Sequence, residues 1–184
     1  MKLSVGRIEY KTVFRYNLSR MNKFFLIFSL LTSVMFSMES LEFFVMGIEC
    51  RTSNDPEVGP QQIGAHWQKF MQDGVYSRIV NKSSDEIIAL YCDYDGDHTQ
   101  PYSLVIGCKV SSTDEVPEGM VVKLVPRANY THFPAIGDYP KVLAETWGNV
   151  WQSDIKRTYT GDFEVYGEKF YQDPKQVDIF VAVE

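Results

Sequence analysis

Two segments of the chain carry the same helical pattern, 80 residues apart. Trp67 to Gln72 and Trp147 to Gln152 both consist of a tryptophan, two variable residues, two apolar residues and a glutamine. Ile63 and Leu143 precede the two tryptophans by one helical turn, so each segment predicts an amphipathic helix. A pattern that recurs in this way indicates an internal duplication of one supersecondary unit.

The strands around these helices repeat as well. Alternating apolar residues bounded by turn residues predict strand-helix-strand-strand in each half. We therefore predict an α+β fold, in which two strand-helix-strand-strand (SHS2-like) units form one antiparallel sheet with both helices on one face. The predicted elements span residues 43–51, 61–72, 86–93 and 102–110 in the first half, and residues 120–133, 139–153, 163–170 and 177–183 in the second.

The apolar stripes of the helices indicate which face of the sheet is buried. We expect both stripes to belong to the core, with Phe163 and Val165 packed beneath them. The other face of the sheet would then stay open, and two related halves meeting at an angle would form a ligand cleft there. The stripes recur at i, i+4 and i+7 and comprise Ile63, Trp67 and Phe70 in the first helix and Leu143, Trp147 and Val150 in the second.

The predicted strand at residues 163–170 combines acidic and aromatic side chains. Alternation places Glu164, Tyr166, Glu168 and Phe170 on one face. The π face of an aromatic ring attracts a cation, and a half-buried carboxylate supplies the opposite charge. This face therefore predicts a site for an aromatic or cationic guest.

The duplication adds candidates from the first half. A shift of 75 residues matches Glu164 with Ala89 and Tyr166 with Tyr91. The cleft would then have tyrosines from both halves but the carboxylate from only one. Tyr102, on the strand next to Tyr91, would add a third ring to the cleft or would pair across the end of the hairpin.

The first 37 residues form a leader that differs from the rest. Residues 24–36 are mainly apolar, too few to span a bilayer but suited to the h-region of a secretory signal, so the signal-like segment covers residues 21–37. We predict one domain at residues 38–184, cytoplasmic in location, or exported if the signal-like segment is functional. Alternatively, the leader comes from an upstream start codon, and the real start is Met21, Met35 or Met38.

The charge of the domain differs from that of the whole chain. The leader holds six basic residues and one acidic residue, and removing them from totals of 18 and 24 leaves 12 and 23. Residues 38–184 thus carry a net charge of about −11, although the full chain carries −6. Because an acidic domain repels phosphate backbones, we expect no direct binding to nucleic acid.

Cysteines and histidines do not form a metal-binding pattern. Cys50, Cys92 and Cys108 lie in predicted strands and are odd in number, as expected for buried small hydrophobic residues rather than a disulfide framework. The chain has no Cys-x-x-Cys pair, and its three histidines are scattered. We expect neither a metal nor a cofactor.

Five segments in order resemble the gyrase-inhibitor-like (GyrI-like) effector-binding domain. This domain also forms the ligand-sensing half of AraC-type and MerR-type multidrug regulators, and it occurs in stand-alone integron-type effector-binding proteins. The resemblance covers about residues 40–184 and implies a small-molecule-binding fold. The segments are GIECRTSN (47–54), YSLVIGCKVSSTDEVPEGM (102–120), ETWGNVW (145–151), FEVYGEKF (163–170) and VDIFVAV (177–183).

The resemblance also implies site residues. Glu164, in the motif F-E-x-Y, matches the buried acid that faces lipophilic organic cations in similar domains, where aromatic side chains stack on the guest. Before the last strand, this chain has Lys175 and Gln176 where some drug-sensing relatives have a tyrosine, and a cation there would weaken the binding of positively charged guests. The implied ligand-binding set is Glu164, Tyr166, Tyr91, Tyr102, Trp147 and Glu168.

Three functions remain open. The chain is expected to be a stand-alone effector-binding protein for lipophilic, cationic or aromatic small molecules. It would alternatively be a hydrolase of electrophilic cyclopropane-type compounds with Glu164 as the catalytic acid or base, or a protein-protein inhibitor of the gyrase-inhibitor type. No helix-turn-helix accompanies the domain, so we do not expect a transcription factor; we also expect no stable membrane span, and a protein partner is left open.

Overall fold

The computed structural model describes residues 42–184 in full and residues 37–39 by their backbone. The predicted leader lies outside the described residues except for Ser37, so the leader and its signal-like segment stay predictions. The strands are β1 (Ser37–Glu39), β2 (Phe43–Thr52), β3 (Ile87–Cys92), β4 (Tyr102–Val110), β5 (Val121–Val125), β6 (Asn129–Gly137), β7 (Asp162–Tyr166) and β8 (Lys175–Val183). The helices are α1 (Gly59–Gln72), α2 (Val75–Arg78) and α3 (Lys141–Gln152), and a 3₁₀ turn spans Glu168–Tyr171.

One antiparallel sheet contains all of these strands, in the order β1-β6-β8-β7-β3-β4-β2-β5. From the central pair outward, β7-β8-β6 on one side corresponds to β3-β4-β2 on the other, so each strand-helix-strand-strand unit forms one half. The helices α1 and α3 pack on one face, where Phe70 and Val150 share a core cluster with Ile106 and Ile179. The predicted α+β fold with duplicated units in one antiparallel sheet is confirmed.

The sheet is strongly curled. In a flat sheet, β5 and β6 would lie six strand spacings apart, or about 29 Å. Residues 126–128 alone join the end of β5 to the start of β6, and this connection spans at most about 14 Å. The sheet must therefore bend until these two strands approach each other.

A pair of glycines allows two strands to come unusually close within this curl. Gly47 of β2 lies opposite Gly107 of β4. A Cβ atom at Gly107 would lie 2.0 Å from the carbonyl oxygen of Met46, and one at Gly47 would lie 2.1 Å from the carbonyl oxygen of Ile106. Only glycine fits such an approach between neighbouring backbones.

The face of the sheet that points away from the helices encloses a second core. Val45 and Leu90 are fully buried there. Phe163 packs edge-on against Tyr130, with ring centroids 5.3 Å apart, and the Tyr130 hydroxyl donates to the carbonyl of Pro126 in the β5–β6 connection at 2.9 Å. Our expectation of an open cleft on this face is therefore wrong, because the curled sheet closes over its own side chains.

The two faces of β7 are accordingly exchanged relative to the prediction. Phe163 and Val165 pack in the core on the far face, whereas Tyr166 packs in the core on the helix face. Glu164 alternates with Phe163 and so lies on the helix face with Tyr166. The alternation itself is as predicted; the error was in which face meets the helices.

Two predicted strands have different bounds in the structure. Residues 120–133 form two strands instead of one, since the chain leaves the sheet at Pro126, which has no N–H to donate to the ladder. The predicted strand 163–170 ends early: after Gly167 the chain enters the 3₁₀ turn, in which the Phe170 amide donates to the Gly167 carbonyl at 3.0 Å.

Candidate ligand-binding cavity

A cavity of about 580 Å³ lies between α1, α3 and the central strands. The helix α1 contributes Ile63 and Trp67 to its wall, and α3 contributes Leu143 and Trp147. With Trp151, all three tryptophans of the sequence line the cavity. A mainly apolar wall with a few placed polar groups is typical of small-molecule sites.

The helical stripes that we predicted as core are divided between core and cavity. Phe70 and Val150 are buried in the core as expected. Ile63, Trp67 and Leu143 are only partly buried and line the cavity, because the two helices stand apart over the central strands. Periodicity identifies the side of a helix that faces the sheet, but it does not reveal a gap between two helices.

Glu164 is the acidic residue in the cavity wall, and it is fully hydrogen-bonded. Its side chain is buried, at 1% exposure. The Oε1 atom accepts from the Trp147 indole Nε1–H at 2.6 Å and from the Tyr91 hydroxyl at 2.8 Å. The Oε2 atom accepts from the Tyr166 hydroxyl at 2.8 Å. Both halves of the duplicated fold therefore hold a single carboxylate.

Burial raises the pKa of the Glu164 carboxyl above its ordinary value of 4.5, and the hydrogen bonds from Trp147, Tyr166 and Tyr91 oppose this shift. Burial and then the charge of Glu164 also raise the pKa of Tyr91 well above its ordinary value. The pKa of Tyr166 is raised for the same two reasons, in the same order. Both phenols thus stay protonated and act as donors to the carboxylate.

The aromatic rings around Glu164 contact one another edge-on. Tyr91 meets the Trp147 ring with centroids 5.2 Å apart and the Tyr102 ring at 5.6 Å. Across the cavity wall, Trp67 meets Tyr166 at 4.9 Å. Edge-to-face contacts hold each ring in a fixed orientation. The wall is therefore preorganised for stacking on a flat guest.

A second charged group lines the cavity beside Glu164. The Arg157 guanidinium donates from Nη2 to Asp162 Oδ2 at 2.6 Å, and both side chains are buried, at 4% and 0% exposure. Asp162 Oδ2 also accepts from the Tyr94 hydroxyl at 2.9 Å, and Oδ1 accepts from the backbone amide of Ala182 at 2.8 Å. Since Asp162 and Glu164 are two residues apart in β7, they lie on the same face of the strand.

The structure brings five of the six predicted ligand-binding residues together. Glu164, Tyr166, Tyr91, Tyr102 and Trp147 all line the cavity. Glu168 does not, because β7 ends before it and it is exposed on the 3₁₀ turn.

Lys175, which we expected to weaken the binding of cations, also lies outside the cavity wall. It is exposed, and its Nζ atom donates to the carbonyl of Phe170 at 3.3 Å. Its charge is therefore directed away from Glu164 and is separated from the cavity by the 3₁₀ turn.

Several residues of the wall were missed by the sequence analysis. Trp151 follows Trp147 by one helical turn, so the helix pattern contained that signal. Tyr94 and Tyr139 lie just beyond a strand and just before a helix, where alternation no longer applies. Arg157 lies in an irregular segment with no periodic pattern, and only its spatial contact with Asp162 reveals it.

Neither a metal site nor a membrane-spanning helix is found in the described part of the chain. Within residues 42–184, no group of three or more His, Cys, Asp or Glu side chains is arranged to hold a metal ion. No helix in the same residues is long and apolar enough to cross a bilayer.

Comparison with known proteins supports the reading of the fold. Residues 39–183 match the family described as Cass2, integron-associated effector binding protein. The Bacillus subtilis protein YobU, whose name describes a transcriptional regulator, is 30% identical over 143 residues, covering 74% of this chain and 89% of that protein.

Two solved structures share the fold. One is the integron cassette protein VCH_CASS2 from the mobile metagenome of Vibrio cholerae, with a TM-score of 0.64 and 28% identity, covering 80% of this chain and 94% of that one. The other is SAV2435 bound to tetraphenylphosphonium, with a TM-score of 0.65 and 19% identity, covering 80% of this chain and 92% of that one. The chain thus belongs to the integron-associated effector binding protein family and has the GyrI-like fold of effector-binding proteins.

Proposed function

We propose that the protein binds lipophilic organic cations with aromatic groups in the cavity between α1 and α3. The observation that carries this proposal is the position of Glu164, a buried carboxylate at the wall of a cavity of about 580 Å³ lined by aromatic rings. A cation in such a cavity gains from the carboxylate and from the π faces together.

The balance of charge in the wall favours a cation. Among the described residues, Glu164 and Arg157 are the charged side chains that line the cavity. Arg157 is paired with Asp162 at 2.6 Å, so these two charges offset each other. The charge left over is that of Glu164, and it increases as the carboxyl ionises. A guest of opposite charge is therefore preferred over a neutral or anionic guest of the same shape.

The comparison with SAV2435 is consistent with this choice of ligand. That protein was solved with tetraphenylphosphonium, a lipophilic cation with four phenyl rings. At 19% identity the comparison supports the fold, and the chemistry of the ligand for this chain rests on its own cavity.

Tryptophan fluorescence offers a direct test. All three tryptophans line the cavity, so a bound guest should quench their emission. We expect tetraphenylphosphonium to bind at least about tenfold more tightly than tetraphenylborate, which has the same shape and the opposite charge. Equal binding of the two ions, or binding of the borate alone, would contradict a cation site.

A hydrolytic reaction is a second candidate, and one observation favours it. Burial raises the pKa of Glu164, as a group that transfers protons near neutral pH requires. Incubation of an electrophilic cyclopropane with the protein, followed by mass spectrometry, tests it. Turnover by the wild type that is lost in Glu164→Gln would support hydrolysis, and an unchanged substrate would exclude this reaction for that compound.

A further inference from the structure

Arg157 carries hydrogen-bond donors that the protein does not satisfy. Its side chain is 4% exposed and lines the cavity. The Nη2 atom donates to Asp162, but the Nε and Nη1 atoms are buried without any hydrogen-bond partner. Within residues 42–184, no other buried side-chain nitrogen or oxygen atom is left unpaired in this way.

The surroundings of the guanidinium hold its charge without satisfying these donors. The Tyr159 ring lies 4.4 Å from the guanidinium carbon and the Trp147 ring lies 6.0 Å from it. Aromatic rings attract the cation but offer no lone pair to its N–H groups. The oxygens of Asp162 are also shared, one with Tyr94 and the other with the amide of Ala182.

Buried donors without acceptors are rare in native proteins, because such groups lose their hydrogen bonds to water. Nε and Nη1 are shielded from solvent, and Arg157 lines the cavity, so the acceptor that suits them is one carried by a ligand. The planar guanidinium fork presents adjacent N–H groups that match the two oxygens of a carboxylate.

The Arg157 and Glu164 groups are close enough for one ligand to reach both. Arg157 is paired with Asp162, and Asp162 lies two residues before Glu164 on the same face of β7, which places their Cα atoms about 7 Å apart. The Trp147 indole also links the two groups, since it donates to Glu164 and lies beside the guanidinium. A guest that stacks on Trp147 can therefore have one end at each.

We propose that the cavity selects dipolar ligands, with a cationic group and aromatic body at Glu164 and a hydrogen-bond acceptor, ideally a carboxylate, at the Nε and Nη1 atoms of Arg157. This inference rests on the proposed binding of lipophilic cations and narrows it to a class of ligand. The cavity then distinguishes simple cations from cations that carry an acceptor at a distance of several bonds.

A matched series of probes tests the inference in the wild-type protein. The probes are pentyltriphenylphosphonium, carboxybutyltriphenylphosphonium and the methyl ester of the latter, with phenylpentanoate as an anion that lacks the phosphonium. Tryptophan quenching measures each affinity. We expect the carboxylate to bind at least about tenfold more tightly than the pentyl cation, with the ester between them.

A double variant tests the assignment to Arg157. Arg157→Leu combined with Asp162→Asn removes both charges of the pair, and the asparagine retains an oxygen for the amide of Ala182. In this variant, the pentyl and carboxybutyl cations should bind alike. Cooperative thermal unfolding verifies that it is folded, and the wild-type series stands even if it is not.

The outcomes separate this inference from the proposed function. If the pentyl cation binds and the carboxylate binds no more tightly, the dipolar preference is overturned and the cation site stands. A carboxylate preference that persists in the folded double variant overturns the role of Arg157. If the pentyl cation fails while phenylpentanoate binds the wild type and not the variant, the cation site fails and the Arg157 contact stands; if no probe binds, both are overturned.

Discussion

Ala89 and Glu164 lie directly opposite each other on the central strands β3 and β7. They are also the positions that a shift of 75 residues makes equivalent in the two halves. A residue that pairs with its own counterpart lies on the pseudo-twofold axis of the duplicated sheet. The buried carboxylate therefore lies beside this axis, where Tyr91 from one half and Tyr166 from the other both reach it.

This position predicts the effect of a second carboxylate at Ala89. Ala89 is fully buried, so Ala89→Glu would place a second acid beside Glu164 without donors of its own. We expect a loss of about 3–5 kcal/mol in the free energy of unfolding, the range for an uncompensated buried charge. Urea denaturation at neutral pH measures it.

A matched control moves the carboxylate across the axis. The combination of Ala89→Glu with Glu164→Ala leaves one acid between the two tyrosines, so we expect it to recover part of the lost stability. A double variant that is less stable than Ala89→Glu alone would contradict the approximate symmetry of this site.

The raised pKa of Glu164 predicts a pH-dependent cost to the fold. Since the folded pKa lies above the ordinary value of 4.5, the folded state holds this proton more tightly than the unfolded chain. The contribution to stability is present in full below that value and is lost as the pH rises through the folded pKa. Glu164→Gln cannot titrate, so the wild type should lose stability relative to this variant as the pH rises.

Paired urea denaturation curves at several pH values check this expectation. Titrations common to both proteins cancel in the difference between their free energies of unfolding. A difference that does not change with pH would show that the carboxyl of Glu164 has the same pKa in the folded and unfolded states.

The tyrosine donors allow stability and binding to be separated. Tyr166→Phe removes a hydrogen bond to a buried carboxylate, and we expect a loss of about 1.5–3 kcal/mol in stability. It should also raise the pKa of Glu164 further, and so weaken cation binding near neutral pH. Calorimetric titration with tetraphenylphosphonium measures the change in affinity.

Tyr130→Phe serves as its control. The Tyr130 hydroxyl donates to the Pro126 carbonyl, in the core on the far face of the sheet. We expect this variant to lose about 0.5–1.5 kcal/mol in stability and to bind the cation as the wild type does. Equal losses of affinity in the two tyrosine variants would indicate a general effect on the fold instead of a contact with Glu164.

The fold was predictable because the same pattern occurs twice. The tryptophan segments at Trp67 and Trp147 defined the helices, and alternation placed Glu164 and Tyr166 together on one face. The face of the sheet was not predictable, since residues on both faces are apolar and both are buried. The curl that closes the far face follows from the short β5–β6 connection, and our single strand at 120–133 concealed that connection.

The candidate site was predictable only as far as its residues lie in regular elements. Tyr91 and Trp147 were found from the repeat and the helix pattern. Glu168 was included wrongly in the set because alternation was extended beyond the end of β7, where the chain forms a 3₁₀ turn. Arg157 was missed, since its partner Asp162 is identified by a contact in space.

The most direct test of the cation site is the affinity of tetraphenylphosphonium for the wild type, Glu164→Gln and Glu168→Gln, measured by tryptophan quenching at neutral pH. Both variants replace a glutamate with glutamine, but Glu164 lies in the cavity wall and Glu168 is exposed outside it. We predict that Glu164→Gln loses about 1.5–3 kcal/mol of binding free energy and that Glu168→Gln binds as the wild type does. Equal affinity of all three proteins, or a larger loss in Glu168→Gln, would contradict the assignment of Glu164 as the group that binds the cation.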